Sequence, residues 1–77
     1  MKIKIRAFGP LSDIIGDETM EITPPVRLEK LEASLKSRSP ELAANVFMVF
    51  VNGILQPPST LLKDQDEVAF IPPFAGG

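Results

Sequence analysis

Asn52-Gly53 interrupts the most strand-like stretch of the chain, "VFMVFVNGIL", and no other feature constrains the fold as tightly. A type I′ turn needs positive φ at both central residues, which Asn followed by Gly tolerates best. The two flanking runs are therefore expected to pair as a hairpin. Pro57 and Pro58 end the returning strand early, because proline brings no N–H to a ladder.

The rest of the chain offers partners for this hairpin. In "MKIKIRAF", Lys2, Lys4 and Arg6 alternate with Ile3, Ile5 and Ala7, the period of a strand with one buried face. Gly9 and Pro10 break it. "LSDII" reads as one helical turn closed by Gly16, and "ETMEIT" as a second strand stopped by Pro24 and Pro25. A helix is expected next, capped by Thr23 with Pro24 at its first position, or starting with Pro25 there. Val26, Leu28, Leu31 and Leu35 follow at helical spacing, with charged residues mostly on the other faces. Ser39 precedes Pro40 and is pushed out of the α region, so the helix should end near Arg38. Ser39 can then cap a short second helix through Ala44. Leu61 and Leu62 fall in a connecting turn, and "KDQDE" leads into a last strand at "VAFI".

With 77 residues there is room for one domain, and a chain of this size buries only about 60% of the surface it exposes when unfolded. Cys and His are both absent. That excludes a disulfide framework, Cys/His zinc sites, and nucleophilic catalysis by Cys–His or Ser–His–Asp groups. The net charge of −2 gives no footprint for nucleic acid. No apolar run approaches the ~20 residues of a membrane span, and no secretory signal opens the chain. The expected class is a soluble cytoplasmic domain with no metal, no bound cofactor, and no chemistry in its side chains.

One amphipathic helix among several strands implies an α+β domain with the main helix across one sheet face and a short second helix beside it. The element order resembles the β-grasp, or ubiquitin-like, fold. That resemblance implies a mixed sheet with the first and last strands as parallel neighbours at its centre. Residues 1–71 would form the domain and 72–77 a flexible tail ending in Gly-Gly. One helix covers only one face. If Val49, Val51, Val68 and Phe70 lie under it with Ile3 and Ile5, then Met48, Phe50, Ala69 and Ile71 face outward, and Phe74 extends that surface. Several large apolar side chains exposed together imply a covering partner; the alternative is that loops fold back over them. Lys2, Lys4 and Arg6 read as a solvated face, or as the border of that interface. Asp64, Asp66 and Glu67 read as solvated carboxylates, or as a match for basic groups on a partner, more readily than as metal ligands.

"DQDEVAFIPPFAGG" resembles the C-terminus of the MoaD family of sulfur carriers, the small subunits of molybdopterin synthase. Asp64, Asp66, Glu67, Val68, Ala69, Phe70, Pro72, Pro73, Gly76 and Gly77 match that family's pattern, and "VNG" at 51–53 resembles its hairpin. Gln65 stands where Gly is usual, and Phe74 where a smaller aliphatic residue is usual. The resemblance implies that an adenylyltransferase akin to ubiquitin-activating enzymes, using ATP, adenylates the Gly77 carboxylate, which is then converted to a thiocarboxylate. The tail of Pro72, Pro73, Phe74, Ala75 and Gly76 would thread first into that enzyme and then into the large subunit, in a complex of two small and two large chains. Gly76 and Gly77 lack a Cβ and can lie in a narrow channel. Pro72 and Pro73 lower the entropy lost on ordering the tail. Other readings are a thiocarboxylate donor for thiamine, cysteine or tRNA thiolation, a ubiquitin-like modifier joined to lysines through Gly77, and a non-covalent binding module.

Overall fold

The computed structural model describes residues 1–73. Five strands form one sheet: β1 (Lys2–Ala7), β2 (Glu18–Glu21), β3 (Met48–Val51), β4 (Ile54–Leu55) and β5 (Glu67–Ile71). Their spatial order is β2-β1-β5-β3-β4, with β1 and β5 parallel at the centre and the other pairs antiparallel. Helices α1 (Leu28–Arg38) and α2 (Pro40–Ala43) lie between β2 and β3, and Gly9–Asp13 forms a 3-10 turn after β1. This is the β-grasp arrangement that the element order implies.

Period-two alternation decides the two faces. Ile5 stands opposite Val68, and Val51 opposite Val68 on the other side. Ile3, Ile5, Val49, Val51, Val68 and Phe70 are all buried in one core with Leu28, Leu31 and Leu35 of α1. Phe70 is fully enclosed, and Phe47 meets it edge to face with ring centroids 5.3 Å apart. Burying such a ring stabilises the fold by about 1.5–3 kcal/mol. Leu11 and Ile15 close one end of this core, and Leu42 and Leu62 complete it.

The Asn52-Gly53 hairpin forms as expected, with φ of 52° and 80°. The start of α1 does not. Val26 and Arg27 are not helical; Arg27 bridges Leu61 antiparallel, and the Leu62 N–H donates to the Val26 carbonyl at 2.9 Å. The helix begins at Leu28, with no side-chain cap. Its first N–H groups have no partner within the helix. Here Leu28 and Glu29 donate instead to the carbonyls of Thr60 and Pro58, at 2.8 and 2.9 Å. A loop thirty residues downstream thus does the work expected of Thr23 and Pro24. Leu61 and Leu62 are accordingly not a bare connecting turn, since one makes this bridge and the other joins the core. Ser39 stands at the N-cap of α2 but makes no side-chain capping bond.

The turn before β5 is braced to the hairpin. Asp66 is buried, which corrects the expectation of a solvated carboxylate. Its Oδ1 accepts the Asn52 side-chain N–H at 2.8 Å and its Oδ2 accepts the Lys63 N–H at 2.8 Å. Asn52 Oδ1 in turn accepts the Glu67 N–H at 2.9 Å. Asp64 accepts the Lys2 N–H at 2.7 Å, and this bond above all holds its carboxyl below the ordinary carboxylate range.

Gln65 sits at φ 71°, in the left-handed region. A side chain there costs roughly 1 kcal/mol or more, while glycine gives back part of that in unfolded-chain entropy. Gln65→Gly is expected to raise stability by about 0.5 kcal/mol net, a rise of about 2–4 °C in melting temperature. Differential scanning calorimetry checks this; a lower melting temperature would mean that the Gln65 side chain stabilises the turn.

Candidate functional site

The outer face of the sheet divides into two halves. Across β1 and β2 it carries Lys2, Lys4, Arg6, Thr19 and Glu21, all exposed. Across β5, β3 and β4 it carries an apolar group built by register. Met48 stands opposite Ile71, and Phe50 stands opposite Ala69 on one side and Leu55 on the other. Met48, Phe50 and Ile71 are half-buried, and Leu55 is 59% exposed. Of the expected outward set, Met48, Phe50, Ala69 and Ile71 therefore share one face, and no described loop folds back to bury it. Ala69 differs in one respect. It is on this face but buried, because its single methyl sits between the register neighbours Arg6 and Phe50. It offers almost no area to a partner.

Two residues that the sequence reading left out join the patch. Leu55 follows from its place opposite Phe50. Phe8 continues the alternation of β1 by one more extended residue, and its N–H still donates to the Phe70 carbonyl at 3.1 Å. Arg6 lies 5.7 Å above the Phe8 ring, a cation–π contact that holds the ring against the outer face. The same guanidinium is flanked by Asp17 at 3.4 Å and Glu67 at 3.6 Å. Arg6 thus marks the boundary between the charged and apolar halves. Reading the alternation through position 8 instead of stopping at Gly9-Pro10 would have found Phe8.

Asp64, Asp66 and Glu67 do not converge. One accepts a backbone N–H from Lys2, one is buried against Asn52 and Lys63, and one pairs with Arg6. Their arrangement fastens the start of β5. The far end of β5 leads into the tail. Ile71 is the last strand residue, Pro72 is half-buried, and Pro73 is exposed. The remaining tail positions, Phe74, Ala75, Gly76 and Gly77, lie outside the described residues. β5 is hydrogen-bonded on both sides. The tail is therefore mounted on the sheet's central strand, beside the apolar patch.

A mixed five-strand sheet with parallel central strands, one main helix, and a last strand running straight into a proline pair defines a ubiquitin-like β-grasp domain. The chain belongs to the ThiS family, whose model matches residues 5–77. It is 33% identical to a molybdopterin synthase sulfur carrier subunit of Mycobacterium tuberculosis, over all of this chain and 99% of that one. A molybdopterin converting factor subunit 1 from Pyrococcus furiosus superposes with a TM-score of 0.86 at 25% identity, covering 94% of this chain and 97% of that one. A chain from the complex of subunits 1 and 2 of the molybdopterin-converting factor of Helicobacter pylori superposes with a TM-score of 0.69 at 30% identity, over the full length of both.

Proposed function

We propose that this chain is the sulfur carrier subunit of a molybdopterin synthase, acting in the cytoplasm as a donor without catalytic side chains. ATP and an adenylyltransferase akin to ubiquitin-activating enzymes activate the Gly77 carboxylate; the oxygen attacks the α-phosphorus and pyrophosphate leaves. A sulfur nucleophile at the level of sulfide then attacks the acyl carbon, AMP leaves, and a thiocarboxylate remains. On the large subunit the sulfur passes to cyclic pyranopterin monophosphate, and water restores the carboxylate. Each carrier brings one sulfur, so two charged chains are consumed for each dithiolene formed. Gly77 bears the reacting group, Pro72, Pro73, Phe74, Ala75 and Gly76 deliver it, and the face around Phe50 and Ile71 docks on the partner.

The observation that carries this reading is the coupling of an apolar face to a tail of the sequence PPFAGG on one doubly bonded central strand. A partner that covers the face receives the tail at a defined place. Full-length similarity to a named sulfur carrier subunit supports it. The similar chain from Helicobacter pylori is found in complex with subunit 2 of its converting factor, which supports a large-subunit partner here. Division of the chain at Ile71, with 72–77 as the segment that delivers the reacting group, belongs to the same proposal.

Light scattering of this chain mixed with the large subunit tests the assembly. The expected mass is that of two small and two large chains, and the small chain alone should run as a monomer. A tight homodimer of the small chain, or one small chain per pair of large ones, would count against the assignment. Reconstitution with charged carrier tests the chemistry, with two thiocarboxylates expected to disappear per molybdopterin made.

A further inference from the structure

Gly9 is the first residue after the last β1–β5 hydrogen bond, in which the Phe8 N–H donates to the Phe70 carbonyl. It adopts φ 57°, in the left-handed region, and turns the chain into the 3-10 segment. Pro72 lies directly over it. A Cβ built on Gly9 would stand 3.3 Å from Pro72 Cγ and 4.0 Å from its Cδ. At Gly16 and Gly53 such a Cβ would meet nothing within 4 Å. Gly9 is thus the place among these three where the missing side chain makes room for another segment. That segment is the first residue past β5. Pro72 is half-buried and Pro73 exposed, so Pro72 is where the chain parts from the sheet.

We infer that Gly9 is a positioning residue for sulfur transfer: its bare Cα is the seat on which Pro72 rests, and this seat sets the direction in which the chain leaves the central strand. The inference rests on the carrier reading above and adds a residue to it that the tail motif does not contain. Proline has a fixed φ and a rigid ring. A displacement at Pro72 is therefore carried into Pro73 instead of being absorbed locally, and it shifts the point from which the tail sets out toward the activating enzyme. The activating enzyme must receive that carboxylate in a near-attack geometry, where errors of 1 Å are costly.

Two effects of a side chain at Gly9 have to be separated. One is backbone strain at positive φ, which lowers stability whatever Pro72 does. The other is the contact with the Pro72 ring. A double-mutant cycle separates them. Gly9→Ala, Pro72→Ala and the double variant are each charged with an activating enzyme, ATP and sulfide, and kcat/KM for thiocarboxylate formation is read by intact mass. Gly9→Ala should lower kcat/KM by about tenfold when Pro72 is present. In the Pro72→Ala background, where Cγ and Cδ are gone, the same change should cost less than about twofold. The melting temperature should fall by the same amount in both backgrounds. Gly9→Asn provides a second probe, since Asn tolerates the left-handed region better than Ala. It should melt above Gly9→Ala and yet be charged no faster. Equal losses of kcat/KM in both backgrounds, no loss in either, or a loss that follows melting temperature would overturn the role of Gly9. Failure of the wild-type chain to be charged at all would instead overturn the carrier reading, and the positioning role with it.

Discussion

Deleting Gly77 is expected to abolish thiocarboxylate formation and leave the melting temperature unchanged. Among the described residues the buried core runs from Ile3 to Phe70, and the segment beyond Pro73 is expected to add nothing to it. The loss of charging follows from reach. Without Gly77 the carboxylate stands on Gly76, about 3.5 Å short of its place along an extended chain. A misplacement of only 1 Å costs about a hundredfold in a reaction that depends on alignment. Intact mass after incubation with activating enzyme, ATP and a sulfur donor measures the charging, and calorimetry measures the stability. A truncated chain that still takes up sulfur would mean that the reacting group is elsewhere.

Phe50→Asp is expected to weaken binding to the large subunit by several kcal/mol, as charged replacements at central apolar contacts do. Phe50 occupies the middle of the outer patch, between Ala69 and Leu55. In the free chain an aspartate there is solvated, and the domain loses only the burial of a half-covered ring, about 1 kcal/mol. In the complex the same carboxylate is desolvated with no partner, which is costly. Titration calorimetry against the large subunit reads the first effect and thermal melting the second. A variant that is unfolded would place Phe50 in the core and contradict the assignment of faces. The same experiment on Phe8→Asp should give a smaller loss, because Phe8 lies toward the charged border beside Arg6.

The strands, the hairpin turn and the division of side chains between two faces were legible because each rests on local chemistry. Asn-Gly selects its turn, and period two assigns each residue to a face without knowledge of its neighbours. The parallel pairing of β1 with β5 was legible only through family resemblance, since no local signal encodes a strand's partner. What local reading missed depended on groups far away in sequence. The start of α1 moved from Pro24 or Pro25 to Leu28 because carbonyls of Pro58 and Thr60 supply the bonds that a cap would have made. Asp66 is buried because an Asn side chain from the hairpin turn reaches it. Ala69 is covered because its strand neighbours are long, and Phe8 is part of the patch because β1 stays extended past its last paired residue. Gly9 read as a strand breaker; its proximity to Pro72, 63 positions on, is a tertiary fact.

The central claim is that sulfur is carried on the Gly77 carboxyl group. The most direct test is the intact mass of the wild-type chain after incubation with activating enzyme, ATP and sulfide, followed by fragmentation of its C-terminal peptide. The account predicts an increase equal to the exchange of one oxygen for one sulfur, dependent on ATP and located on Gly77. An unchanged mass, or a modification located on any other residue, would contradict it.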